Sequence, residues 1–389
     1  MKEGWEVKKL VGVCSIIYGF PFESPLFTTD SNDGKPLIRI RDVKRGFTET
    51  YYKGAYSQEF IIKKGDFLIG MDGEFNIAPW QSEDALLNQR VCKIESKKES
   101  VLTRFLYYFL IDELKRIEDE TSFITVKHLS AKRLNQIEIP LPPLPEQERI
   151  VSILDAEFAK IDAVKAGAEK SLQHAKDLFQ AALKKELTPK EGWETKKMRE
   201  IGKTQTGTTP STSDKGNYGS YLPFIKPADI NIDGLGNLNY ENEGLSEQGA
   251  SIGRMFASYS VLMVCIGATI GKVGYSIKPT SCNQQINVLT PSEGYICKYL
   301  YYYMASPIFQ YEVKKEGESA KATLPIINKT KWENLTISYP NLQLQQSIVA
   351  RLDTLNTHCK ALQANYERTI ALCDDMKQAL LRKAFNGEL

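Results

Sequence analysis

The sequence predicts an α+β protein: two similar mixed α/β domains separated by an antiparallel two-helix coiled coil, in the order domain, helix, domain, helix. Three observations predict it. Lys2-Glu3-Gly4-Trp5-Glu6 returns as Lys190-Glu191-Gly192-Trp193-Glu194, and further matches follow in the same order. Each copy is followed by a run of about 40 residues whose apolar positions recur every three or four. The 389 residues exceed what one hydrophobic core usually organises, so the repeat marks where the chain divides. A unit this long, present only twice, is not a solenoid, whose repeats of about 20 to 50 residues must stack in numbers.

The first domain, 1–143, reads as short strands and turns. Pro36-Leu37-Ile38-Arg39-Ile40-Arg41 alternates apolar and basic residues, as a strand with one buried face does. Phe60 to Gly70 reads as two strands around a Lys64-Gly65-Asp66 turn. From Leu102 to Glu120 the apolar spacing turns helical, and Ile137, Ile139 and Leu141 form a last strand. Pro145-Glu146-Gln147-Glu148 opens the first long helix (144–188), because proline suits a helix start and acids favour its first turn. Its apolar stripe runs through Ile150, Leu154, Phe158, Ile161, Val164, Ala168, Leu172, Ala175, Phe179 and Ala182 and stops before Pro189. The second domain spans 189–340. The last helix, 341–389, carries Ile348, Leu352, Leu355, Cys359, Leu362, Tyr366, Thr369, Cys373, Met376 and Leu380 in a heptad-like repeat closed by Asn386-Gly387. Either stripe alone suits a helix packed on its own domain. Two of matched length, uncapped over more than about 25 residues, point to a mutual seam built on Leu154, Phe158, Ile161, Leu172 and Phe179 against Leu352, Leu355, Leu362, Tyr366, Met376 and Leu380. Antiparallel pairing would place the domains at opposite ends of a rod of roughly 60 Å.

Composition is that of an ordinary globular protein, 42% hydrophobic and 25% charged, with no apolar run of membrane-spanning length and no signal-like start, which implies a cytoplasmic protein. Seven cysteines without a C-x-x-C pair read as reduced, mostly buried thiols. Three histidines outside any ligand pattern argue against zinc. The net charge of +2 neither announces nor excludes a nucleic-acid binder, since acidic helices can offset a local basic groove.

Enzyme motifs fail on inspection. Gly267-Ala268-Thr269-Ile270-Gly271-Lys272-Val273 is one residue short of a phosphate loop and lacks the Ser or Thr after lysine. Glu95-Ser96-Lys97 with Asp72 or Asp84 can be forced into a metal-nuclease pattern of the kind that arises by chance. No G-x-S-x-G elbow or methyltransferase tetrad is present. The residues point to binding rather than catalysis.

The doubled Gly4-Trp5 and Gly192-Trp193, the stretch Gly207-Thr208-Thr209-Pro210-Ser211 before Pro223-Phe224-Ile225-Lys226-Pro227-Ala228-Asp229-Ile230, Ile266-Gly267 through Gly271, Asn283-Gln284-Gln285, and the Leu141-Pro142-Pro143-Leu144-Pro145-Glu146-Gln147 entry to a long helix are each weak motifs, but their order along the chain is specific. Across its whole length the chain resembles the specificity subunit of type I restriction-modification systems. The first domain departs from the pattern, with Gly19-Phe20-Pro21-Phe22 in place of Gly-x-Thr-Pro-Ser and a reduced glycine loop at Gly70-Met71-Asp72-Gly73. The resemblance implies two target-recognition domains, each reading half of a split asymmetric site in double-stranded DNA. It implies two modification (methyltransferase) subunits docked on the helical spacer, with restriction (translocase/nuclease) subunits as a further partner and no membrane. It implies no cofactor on this chain, S-adenosylmethionine, ATP and Mg belonging to the partners. The alternatives are a stand-alone bipartite-site DNA-binding protein and a metal-dependent nuclease around Glu95.

If the two domains read different half-sites, whatever they share is scaffold or phosphate contact and the base readers lie where they differ. Asn88-Gln89 and Asn283-Gln284 repeat and so read as structural; Arg90 against Gln285 changes type. Divergent segments are 23–35, 44–57 and 71–82 in the first domain and 212–221 and 235–258 in the second. From these and the basic strand and loop positions, the DNA-binding candidates are Lys35, Arg39, Arg41, Lys44, Arg45, Arg90, Lys215, Lys226, Arg254, Lys272 and Gln285. Solvated loops also carry such cations.

Overall fold

The computed structural model describes residues 4–97, 100–120, 127–230, 238–318 and 326–389. The chain forms two compact units, 1–168 with 368–389 and 169–367, so that each long helix contributes to both.

The first unit is framed by two antiparallel sheets. Strand Glu6–Lys9 pairs with Glu138–Leu141, joining the start of the domain to the residues that lead into the long helix. A four-stranded sheet runs Cys14–Tyr18, Val91–Ser96, Phe67–Gly70, Asn76–Pro79. Helix Thr103–Glu120 buries Phe105, Leu106, Phe109, Leu110 and Leu114 in the core that also holds Leu10, Ile69, Ile94, Ile139 and Leu154. A smaller sheet of two- to four-residue strands takes in the divergent segments 23–35 and 44–57, whereas 71–82 supplies strand Asn76–Pro79 of the four-stranded sheet. In it Lys35–Ile38 runs parallel to Ala85–Leu87. The alternation expected from Pro36 to Arg41 is therefore corrected: Pro36, Leu37 and Ile38 are buried in succession, as a strand covered on both faces requires, and Arg39 and Arg41 lie in the turn before the short helix Asp42–Arg45.

The second unit repeats this frame. Glu194–Lys197 pairs with Thr336–Tyr339, and the four-stranded sheet runs Gly202–Thr206, Ile286–Pro291, Val261–Val264, Val273–Tyr275 in the matching order. Its small sheet again contains one parallel pair, Phe224 opposite Ser281. Helix Cys297–Ala305 supplies the buried tyrosines Tyr299, Tyr301 and Tyr302.

The long helices are Leu144–Leu187 and Leu342–Asn386, the second ending on Gly387 at φ 78°. They pair antiparallel. In the first unit Arg149 donates to the carbonyl of Leu389 at 2.7 Å, Asp162 meets Lys377, and Lys165 meets Asp374 at 2.6 Å, one number rising as the other falls. In the second, Arg351 meets Glu186 at 2.6 Å. Of the expected seam, Leu154, Phe158, Ile161, Phe179 and Leu352 are buried and Leu172, Leu355, Tyr366 and Leu380 half-buried. Leu362 and Met376 are corrected, being 41% and 55% exposed, as is Val164 at 55%. Burial steps through Ile150, Leu154, Phe158 and Ile161, and through Cys373, Leu381 and Ala384, at eleven residues per three turns. A nearly straight helix follows that period of about 3.67, and a strict heptad drifts off the buried line.

All seven cysteines are buried and unpaired. Burial pushes the Cys14 thiol up to about 11 and those of Cys265 and Cys297 up to about 12.

Candidate nucleic-acid interface

The two copies superimpose in their hydrogen bonds as well as in strand order. Gly19 donates to the carbonyl of Val91 at 3.0 Å and Phe20 to Leu87 at 2.9 Å; Gly207 donates to Ile286 and Thr208 to Cys282, both at 2.9 Å. A Cβ on Gly19 would lie 2.0 Å from the carbonyl oxygen of Asn88, and one on Gly207 2.1 Å from that of Asn283. Two backbones therefore touch at this corner in each unit, and only glycine admits the contact. Asn88 is buried, with its side-chain oxygen taking the N–H of Gln89, while Asn283 holds the N–H and side chain of Gln285, so both belong to the frame.

The small sheets hold a second matched element. Asp42 is buried and accepts the N–H of Arg39 at 2.9 Å; Asp229 is buried and accepts the N–H of Lys226 at 2.7 Å. Arg39 and Lys226 thus occupy one position in the two copies, and the shared Pro36, Ile38 and Asp42 against Pro223, Ile225 and Asp229 carry the same match in the sequence.

The candidate cations divide by what holds them. Lys44 is paired with Glu74, and Arg45 lies 3.1 Å from Glu49 and over the Phe47 ring. Lys226 is paired with Glu243, and Arg41 lies 3.8 Å from Asp42. Arg254 donates to the carbonyl of Thr206 at 2.7 Å and Lys272 to that of Pro227 at 3.1 Å. Lys35 is half-buried at a strand start; Arg39 and Lys215 are exposed, and no side-chain partner holds them among the described residues. Gln285 is half-buried against Asn283. Arg90 meets Asp72 at 3.4 Å and lies beside His128. Asp72 had suggested a pattern with Glu95, but it faces Arg90 and His128, and Glu95 faces Lys93 at 3.6 Å. His128 carries no site signal in the sequence and Asp72 only that of the nuclease pattern, because only the fold brings the two together. The start of segment 235–258 lies outside the described residues.

The sequence pattern of the type I restriction modification DNA specificity domain matches residues 2–174 and again residues 190–371. The chain belongs to this family. The match falls once on each copy of the frame, and the specificity family accounts for both the duplication and the divergent small sheets. Among relatives, the type I restriction enzyme EcoBI specificity subunit of Escherichia coli is 32% identical over all of this chain and 86% of its own length. The MjaVIII specificity subunit of Methanocaldococcus jannaschii is 22% identical over 91% of this chain and 86% of its own. Two solved structures share the fold. One, from work on complex assembly and conformational transition of the type I system, has a TM-score of 0.74 at 22% identity and covers 100% of this chain and 99% of that one. The other, the HsdS subunit of Thermoanaerobacter tengcongensis, has a TM-score of 0.52 at 21% identity and covers 100% and 98%. The chain is a type I specificity subunit whose role is recognition of a DNA target.

Proposed function

We propose that each unit reads one half of a split, asymmetric DNA site with its small sheet and glycine loop, and that two modification subunits dock along the paired helices. The observation that carries this is a frame whose strand order and corner hydrogen bonds repeat, while unlike side chains stand at matched positions of its loops. Cations shared by both copies, Arg39 and Lys226, suit phosphates, which look alike at any sequence; unmatched side chains suit base edges. Lys44, Arg45 and Lys226 exchange a carboxylate for a phosphate on binding, which makes DNA the better partner only when its charge density exceeds that of the local acid.

The chain itself carries out no bond-making step in this reading, and S-adenosylmethionine, ATP and Mg reside in partner subunits within the cytoplasm. The decisive experiment mixes the purified chain with its modification subunit and measures the mass of the complex and the DNA it methylates. A complex of two modification subunits per chain that methylates a bipartite site is expected. DNA binding by the chain with no such complex would make it a stand-alone reader, and metal-dependent cutting by the chain alone would make it a nuclease. In the same complex, replacing Lys44 and Arg45 by Ala is expected to weaken binding and lower the slope of log affinity against log salt by about one to two; an unchanged slope removes them from the interface.

A further inference from the structure

Three backbone-matched positions carry unlike side chains at the glycine loops. In the first unit Met71 donates to the carbonyl of Arg90 at 2.9 Å, Leu129 donates to that of Met71 at 2.7 Å, and Asp72 bridges His128. In the second, Cys265 donates to Gln285 at 2.8 Å, Ile327 donates to Cys265 at 2.9 Å, and Ile266 bridges Ile326. The same backbone thus presents Asp72, Arg90 and His128 in one copy and Ile266, Gln285 and Ile326 in the other.

The polar set is organised around Asp72. Its Oδ1 lies 2.5 Å from Nδ1 of His128, and a carboxylate has no proton to give, so the imidazole donates. Its Oδ2 lies 3.4 Å from Nε of Arg90. The 3.2 Å approach of Arg90 Nη1 to the same imidazole nitrogen is then a packing contact, because a nitrogen that carries the proton donated to Asp72 has no lone pair left to accept from the guanidinium. Both terminal nitrogens of the guanidinium remain free of acceptors among the described residues, on a side chain 53% exposed. The backbone adds to this. Arg90 sits at φ 72°, one of two non-glycine residues in the left-handed region among the described residues, a conformation that arginine adopts only at a cost.

We infer that Arg90, held by Asp72 beside His128, reads a guanine in the half-site of the first unit, through two parallel N–H donors to O6 and N7 in the major groove. This rests on the reading that each unit recognises one half-site. The pair of acceptors on guanine's major-groove edge matches the end of a guanidinium, and no other base presents two acceptors there. Asp72 orients the arginine and does not itself contact the base; it is a positioning residue. Gln285 with two isoleucines cannot offer the same fork, so the second unit reads its half-site differently at this place.

The test uses the chain assembled with its modification subunits, methylation mapping of genomic DNA, and initial methylation rates on duplexes with each half-site base pair changed in turn. If the unsubstituted complex methylates no bipartite site, the underlying reading falls and this proposal with it. In the R90G complex, preference for a G·C pair at one position of one half-site is expected to fall about tenfold or more, with the other half-site and the spacer unchanged. The melting temperature is expected not to fall, since glycine takes this φ freely. D72N should produce a smaller loss at the same position, and Q285A a loss confined to the other half-site. An unchanged motif in R90G, or an equal loss on every duplex with a flatter salt dependence, overturns the proposal; the second result would mark a phosphate contact.

Discussion

Gly207 and Gly19 do the same work in the two copies for a reason no propensity scale contains. Each lies where the strand leaving the first edge of the sheet crosses the turn of the opposing strand, with carbonyl oxygens 2.0 and 2.1 Å from where a Cβ would stand. Neither glycine needs a left-handed backbone; what each supplies is the absence of an atom. G207A is expected to cost about 3 kcal/mol in urea denaturation, since the colliding atoms, in Cys282 and Asn283, are all backbone and cannot step aside. A loss below about 1 kcal/mol would mean the turn Cys282 to Gln285 yields, and that the corner is not a rigid base for Gln285. Arg90 differs in kind: its backbone is strained and its side chain exposed, the combination in which a local cost is retained for what the side chain does.

At the scale of the element, each domain is tied to the long helix that follows it by one buried glutamine and one aspartate. Gln147 accepts the N–H of Leu102 at 3.0 Å and donates to the carbonyls of Ser100 and Pro142, both at 2.9 Å. Gln345 accepts the N–H of Ile296 at 3.1 Å and donates to Gly294 at 3.4 Å and Pro340 at 2.9 Å. About two turns further along in each helix, Asp155 takes Arg104 at 2.7 Å and the hydroxyl of Tyr108, and Asp353 takes Lys298 at 2.6 Å and the hydroxyl of Tyr302 at 2.5 Å. The glutamines are 0% and 1% exposed, so losing one leaves backbone groups without partners away from water. Q147L is expected to destabilise the first unit by about 3 kcal/mol although it adds apolar surface, as read by urea denaturation. A neutral or stabilising result would show that the helix is held by its apolar stripe alone.

For the whole molecule, the long helices belong to both units, and in the proposed function their length bears on the DNA site. Each helical residue adds about 1.5 Å, so inserting four residues beside Gly167 adds about 6 Å, one to two base pairs of B-DNA. The insertion variant, assembled with its modification subunits, is expected to methylate the same half-sites with a spacer longer by one or two base pairs. Methylation mapping that returns the original spacer would separate helix length from target geometry.

The duplication, the two long helices and the helix from Thr103 were legible in the order of residues, because period and repetition are properties of the chain itself. The heptad phase was not, since Val164, Leu362 and Met376 fit the pattern yet lie outside a burial line that drifts by a few degrees per turn. Nor was the alternation at Pro36 to Arg41, overruled by a parallel neighbour whose position depends on residues some fifty places away. Asp72, Arg90 and His128 are spread over the chain with no spacing to link them, and only the bridge between two loops sets them side by side. Local pattern is written in neighbours along the chain; a constellation of side chains is written in the distances that folding closes.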